Sequence, residues 1–358
     1  MTSSHADQLE MIVGPVRLPL KIDDSVNYFQ LHYFEFQGKR WACAALGDLA
    51  AQDAVPLRIE SACFFGHVMH SQQCDCGFQL DEAFRRISQR QGGLVIYGID
   101  QDARGLGIEK HFRIYDYRQN HQLDTDEVYQ RFHAPLDSRS YEAVAAILRF
   151  LKVENILLMS NNRARLEFLR EQGFRVERDQ IEAPLTRYNM ATMMLEKEDL
   201  AYQWSFQTHG DWLRPLQDQA EAHPDRRAAR IVRDNQQVVA EWQGDSWDVA
   251  RHLLAGLAPQ PAGELVIYLS DLPRLDELAA YAATSARFVV VPFATLPGYL
   301  ETEARRLGIK LQDWGRENKY AQPRPQWQLE DQTDDSHVYR RGDERRTCRR
   351  DGAADAVA

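Results

Sequence analysis

The sequence predicts an α/β protein: a mixed sheet with flanking helices, followed by a second, smaller α/β unit. Three observations predict it. Residues 17 to about 60 alternate apolar and polar positions, as in NYFQLHYFEF and RWACAALGDL, the period-two pattern of half-buried strands. Beyond residue 76, short apolar runs such as LVIYGI and NILLMS are separated by segments of helical period. Past residue 225 the runs LVIYLS and FVVVPF repeat that arrangement on a smaller scale.

The elements follow in order. The stretch 17–60 reads as antiparallel strands joined by polar turns. A helix is predicted from Gly77 to Gln91, with Phe78, Phe84 and Ile87 near helical spacing, and Gly92–Gly93 ends it. LVIYGI is a short buried strand and DQDARGLG the loop after it. A helix over Glu109–Arg118 comes next, then one from Ser140 to Leu151. Tyr141, Val144, Ile147 or Leu148, and Leu151 share the buried face of the second. NILLMS is another buried strand. The helix from Arg163 stops at Gly173, a residue suited to a left-handed cap, and the strand FRVER succeeds it. From about residue 205 the chain turns polar without a clear period. We therefore expect a first domain over 1–205, a linker over 206–224, a small α/β unit over 225–317, and a disordered, charge-rich tail over 318–358. Within the small unit a hairpin turns at Asp234–Asn235, and Ser246 caps a helix running through Leu257.

Composition narrows the function. The 358 residues carry a net charge of −10, which argues against a general nucleic-acid binder. A small anionic substrate remains open, because a local arginine cluster binds phosphate whatever the global charge. No apolar run reaches the roughly 18 residues of a membrane span. The start, MTSSHADQLEMIVGPV, lacks the basic and apolar regions of a signal peptide, so a cytoplasmic location is expected. Five cysteines, an odd count, argue against a disulfide framework.

Three of those cysteines, Cys63, Cys74 and Cys76, stand close together in RIESACFFGHVMHSQQCDCGFQL. Three thiolates plus a water fit a hydrolytic zinc, which keeps one tetrahedral position open. A structural zinc with His67 or His70 as fourth ligand is the alternative that the same segment allows.

This segment resembles the zinc motif of the GTP cyclohydrolase II family, in which a cysteine, ten residues and CDCGFQL surround a catalytic zinc. Other motifs follow in order. DQDARGLG is similar to the family's QEGRNIGL loop and aligns Asp102, Ala103 and Arg104 with Glu-Gly-Arg. Tyr115 falls at the family's catalytic tyrosine, and Asp124–Thr125 at its Asp-Thr. Asp137-Ser138-Arg139 matches the Asp-x-Arg that holds a proton acceptor and a nucleophilic arginine. LLMSNNRAR resembles LLTNNPKK and aligns Ser160 and Arg165 with phosphate-binding residues. The likeness covers about residues 12–205. It implies one zinc per chain on Cys63, Cys74 and Cys76, with Tyr115, Asp137 and Arg139 catalytic. It implies substrate contacts from Arg58, Gln79, Asp102, Arg104, Thr125, Ser160 and Arg165, magnesium with the triphosphate, and a homodimer. The implied reaction opens the imidazole ring of GTP and releases formate and pyrophosphate, giving 2,5-diamino-6-(5-phosphoribosylamino)pyrimidin-4(3H)-one.

The chain departs from the family at several positions. Ala62 stands where the family has a glutamate, Gln73 replaces an arginine, and Asp102–Ala103 replaces Glu-Gly. A diverged cyclohydrolase acting on another nucleotide or heterocycle, or a nucleotide-binding module with structural zinc, are the alternatives. Without the resemblance, Asp137 and Arg139 read as an ordinary ion pair and Tyr115 as helix packing. The C-terminal unit shows no glycine-rich phosphate loop, metal cluster or catalytic triad.

Overall fold

The computed structural model describes residues 9–120, 125–186, 188–223, 225–244, 248–257, 265–292 and 296–313, and the backbone of three strands between 328 and 349. Two compact units divide the chain: Met1–Ala183 with Arg324–Ala358, and Pro184–Pro323.

The first unit is built on a seven-stranded sheet of β1 (Leu9–Ile22), β2 (Ser25–Phe36), β3 (Lys39–Leu46), β4 (Val55–Ser61), β5 (Gly93–Gly98), β6 (Asn155–Met159) and β7 (Arg175–Asp179). Its order is β1-β2-β3-β5-β4-β6-β7. The first four strands in that order run antiparallel, and β5, β4, β6 and β7 run parallel. The sheet is thus mixed and helix-flanked, as the sequence predicts. One expectation changes: β4 belongs to the parallel half, not to an antiparallel run. All seven of its residues are buried, so it sits centrally, where a crossover delivers the next strand in parallel.

The helices of this unit are α1 (Cys76–Gln89), the short turn α2 (Asp102–Gly105), α3 (Ile108–Asn120), α4 (Thr125–Arg131), α5 (Glu142–Phe150) and α6 (Arg163–Glu171). On one sheet face, α5 and α6 pack with Phe34, Trp41, Leu57, Ile59 and Leu158. On the other, Ala83 and Ile87 of α1 meet Phe29, Leu46, Val95 and Met159. β4 faces both ways: Leu57 and Ile59 enter the first core, while Arg58 and Glu60, one residue out of phase, project to the opposite side.

The second unit has a five-stranded sheet of β8 (Arg227–Arg233), β9 (Gln237–Gly244), β10 (Leu265–Leu269), β11 (Phe288–Val291) and β12 (Lys310–Asp313), in the order β12-β11-β10-β8-β9. The three-residue β8–β9 connection turns at Asp234 and Asn235, both with positive φ, and the Gln236 N–H closes the turn onto the Arg233 carbonyl at 3.0 Å. One side carries α9 (Val249–Ala255), α10 (Leu275–Ala282) and α11 (Gly298–Arg306). The other carries α7 (Met190–Asp199) and α8 (His209–Ala222).

Three boundary expectations are corrected. Residues 206–224 are no linker, because Thr208 and Asp211 form a reciprocal cap that starts α8, and Trp212, Leu213 and Leu216 are buried. Met190 and Met194 of α7 pack into the same cluster, so the first unit ends at Ala183 instead of near 205. The helix expected to start from Ser246 is capped by Asp248, whose carboxylate accepts from the Arg251 N–H at 3.2 Å; Ser246 itself lies outside the described residues. Within the expected disordered tail 318–358, strands β13 (Gln328–Gln332), β14 (Ser336–Arg341) and β15 (Glu344–Arg349) form an antiparallel sheet. No described helix is long and apolar enough to cross a membrane.

Candidate metal centre and its surroundings

β4 ends at Ser61, and two residues later Cys63 caps a π-helical turn, Phe64–Val68. Six and eight residues beyond that turn, Cys74 and Cys76 lead into α1. The turn and the helix start bring the thiols together: the sulfurs of Cys63, Cys74 and Cys76 lie within 4.8 Å of one another, with Cys63 and Cys74 at 3.8 Å. Two glycines make this possible. A Cβ on Gly66 would stand 2.9 Å from Cys76 Cβ and 3.0 Å from Cys74 Sγ, and one on Gly77 would stand 2.8 Å from the Gly66 carbonyl. The Gly66 N–H donates to Cys63 Sγ at 3.3 Å. Neighbouring thiols and burial raise all three cysteines above the ordinary thiol range. Three crowded sulfurs with an N–H donor are a donor set that a soft, tetrahedral cation relieves, so the residues fit a metal.

Neither histidine of the segment joins the cluster. His67 Nδ1 accepts from the Cys63 N–H at 3.3 Å and lies 3.0 Å from the Tyr97 hydroxyl. Its Nε2 faces Glu60 Oε1 at 3.8 Å. His70 is exposed.

Around the cluster the polar residues are tightly engaged. Arg58, 2% exposed, donates from Nε to Glu60 at 2.8 Å, from Nη1 to the Met159 carbonyl at 2.9 Å, and from Nη2 to Gln79. Gln79 donates from its other end to Asp75. Arg58 and Gln79, both expected to contact substrate, thus form one buried chain linking β4, α1 and β6.

Asp102, on α2, is 6% exposed. One carboxylate oxygen accepts from the Phe64 N–H at 2.7 Å and the other lies 2.5 Å from His111 Nδ1. Tyr115 stands one turn beyond His111 on α3, and its ring centroid is 4.6 Å from that of Phe65. Burial, then the nearby Cys74 and Cys63, hold its phenol above the ordinary range.

The Asp137-Ser138-Arg139 loop is docked on α2. The Ser138 N–H donates to the Arg104 carbonyl at 3.0 Å. Ala103 and Arg104 both have positive φ, and a Cβ on Gly105 (φ +93°) would stand 2.9 Å from the Ser138 carbonyl. Arg139 grips Asp137 with two side-chain nitrogens, Nε at 2.8 Å and Nη2 at 2.5 Å. Burial opposes ionisation of Asp137, but the hydrogen bonds and charge of Arg139 prevail and hold its carboxyl below the usual range. Arg165, 4% exposed, reaches the Ile59 carbonyl at 2.8 Å and the Tyr141 hydroxyl at 3.2 Å. Ser160 Oγ is buried and accepts from the Asn162 N–H. Thr125 opens α4, and its side chain lies outside the described residues, as does Asp124.

Known proteins match this half of the chain. The sequence profile described as GTP cyclohydrolase II matches residues 16–181. A GTP cyclohydrolase-2 of Shewanella oneidensis is 31% identical over 188 residues, covering 52% of this chain and 92% of that protein. One from Picrophilus torridus is 31% identical over 176 residues, covering 49% and 91%. The chain belongs to the GTP cyclohydrolase II family.

The riboflavin biosynthesis protein RibBA of Chlamydia trachomatis is also similar, at 30% identity over 199 residues, with 46% of its length covered. For this member of the GTP cyclohydrolase II family, the profile match ends two residues short of the first unit's boundary at Ala183. Motif order alone finds the cysteines, Tyr115 and the Asp137–Arg139 pair. It misses Glu60, Asp75, Gln101 and His111. Gln101 links Ser61 Oγ at 3.1 Å to the Ser140 carbonyl at 2.8 Å. His111 carries a usable signal: it precedes Tyr115 by four positions, and such residues share one face of a helix.

Proposed function

We propose that this chain opens the imidazole ring of GTP and releases formate and pyrophosphate, giving 2,5-diamino-6-(5-phosphoribosylamino)pyrimidin-4(3H)-one. The observation that carries the reading is the convergence of Cys63, Cys74 and Cys76 with Tyr115 beside them, in a chain of this family. One zinc on the three cysteines would supply a Lewis acid and an activated water for the heterocycle. The set of three thiols without a histidine leaves the fourth position to substrate or solvent.

The chain's own residues divide the work. Tyr115 supplies or relays a proton at the opened ring. Arg139 acts at the α-phosphorus with Asp137 as its base. Arg58, Gln79, Asp102, Arg104, Thr125, Ser160 and Arg165 form and support the nucleotide pocket, and magnesium accompanies the triphosphate. A cytoplasmic homodimer completes the proposal. The deciding experiment is mass spectrometry of products after incubating the full chain with GTP, zinc and magnesium. The pyrimidine product with formate and pyrophosphate supports the reading, and unchanged GTP refutes it.

A second reading has a specific observation behind it. Asp102 occupies the base-reading position of the family, yet its two oxygens are engaged by the Phe64 N–H and His111. With Ala62 in place of a second carboxylate, the pocket offers fewer acceptors for a guanine edge. A different purine triphosphate, or a related heterocycle, is then the substrate. Formate release across a nucleotide panel separates the two, because a site built for one hydrogen-bond pattern rejects others strongly.

A further inference from the structure

We propose that His111, oriented by Asp102, is a proton-transfer residue of the ring-opening chemistry; the inference rests on the cyclohydrolase reading above. The geometry begins with Asp102. Its Oδ2 is fixed by the Phe64 N–H at 2.7 Å, one residue from Cys63. Its Oδ1 accepts from His111 Nδ1 at 2.5 Å. A carboxylate cannot donate here, so the proton of that bond sits on Nδ1. The lone pair of Nε2 is then available, and Nε2 makes no hydrogen bond among the described residues.

The ring is also held in place by its neighbours. His111 meets Phe65 edge-on at 4.7 Å and lies 5.4 Å from Tyr115. Its side chain is 14% exposed, enough to reach a bound molecule and little enough to stay oriented. α3 therefore presents two proton-carrying groups, His111 and Tyr115, on the face that meets the cysteine turn. A latch between α2 and α3 needs only one donor. An imidazole held by one nitrogen keeps a second that can take and give a proton, the arrangement that makes histidine a general acid and base.

The step assigned to His111 is hydrolysis of the formamide left by ring opening. The water oxygen bonds to the formyl carbon, the carbon–nitrogen bond breaks, and its electron pair goes to nitrogen. His111 Nε2 takes the proton from the water and passes it to that nitrogen. One formamide and one water give one amine and one formic acid, and His111 returns to its starting form. Asp102 is a positioning residue in this scheme.

His111→Asn tests the assignment. The asparagine amide still donates towards Asp102 but has no group that titrates. Zinc content and melting temperature are expected to match the unmodified protein. The kcat for formate release should fall by about 10²- to 10⁴-fold with KM little changed. Pyrophosphate release should persist, so the formate-to-pyrophosphate ratio drops and the formamide accumulates. Nitrogen chemical shifts of the His111 ring in the unmodified protein should show the proton on Nδ1, and Asp102→Asn should redistribute it. Formate release by His111→Asn within about tenfold of normal, an equal fall in both products, or a proton on Nε2 in the unmodified protein each overturns the proposal. An unmodified protein that releases no formate refutes the cyclohydrolase reading itself, a result visible before any variant is made.

Discussion

Cys74 and Arg139 illustrate how much a single residue decides here. Cys74 Sγ lies 3.8 Å from Cys63 Sγ, and each of these thiols is held harder to ionise, Cys74 by Cys63 and burial, Cys63 by Cys76 and burial. A cation reverses that penalty only with the full donor set. Cys74→Ser is therefore expected to lose most of its zinc by metal analysis, and full occupancy would take the site out of the mechanism. Arg139 poses a sharper question. Moving its proton to Asp137 costs roughly 12 kcal/mol at their ordinary acidities, so a nucleophilic role needs the substrate's phosphate to change that balance. Arg139→Lys keeps the charge and loses the planar fork. It should be nearly inactive in pyrophosphate release; a variant that keeps most of the activity makes Arg139 a phosphate clamp. The sequence exposes the cysteines because their grouping is local. It hides the fate of Asp102, since nothing in DQDARGLG says that the Phe64 N–H and His111 meet its carboxylate in space.

At the level of elements, two turns govern the two halves of the site. Gly66 sits against the cysteine sulfurs and Gly105 against Ser138. An added methyl at either place forces a shift costing about 1–3 kcal/mol, and at Gly105 the positive φ adds strain. The consequences should separate. Gly66→Ala is expected to weaken zinc retention during dialysis against a chelator. Gly105→Ala should keep its zinc and lose pyrophosphate release, because the displaced loop carries Asp137 and Arg139. Equal effects of both variants on both readouts would show that the turns are not independent. Alternation makes the early strands legible, but it does not distinguish parallel from antiparallel pairing, so β4 reads in sequence as one more antiparallel strand although it pairs in parallel with β5 and β6. α8 was legible in principle: Trp212, Leu213 and Leu216, with His209, follow helical spacing within a polar stretch that reads as a linker.

On the scale of the molecule, the two units have separate cores. Every site residue named above lies before Ala183, and the profile match ends at 181. Residues 1–183 expressed alone are expected to melt cooperatively and to bind one zinc. Circular dichroism and metal analysis check both, and an insoluble or molten product would make the remainder part of the same folding unit. Retained folding with lost turnover would assign residues 184–358 a role in catalysis. The fold class of both halves was readable from their apolar runs. The boundary between them was not, because α7 carries Met190 and Met194 into the second core from a stretch that, in sequence, looks continuous with the first.

The nearness of the three cysteines in the chain also has a meaning during synthesis. All three clustered sulfurs have left the ribosome once α1 has emerged, whereas β6 and β7 follow tens of residues later. Closing so short a loop costs little entropy, and at ordinary translation speeds of about 5–20 residues per second the lag amounts to several seconds. Cation capture by these thiols can therefore precede completion of the sheet, and under the proposed zinc assignment a cell starved of zinc would meet its shortage in the nascent chain before the finished protein is made.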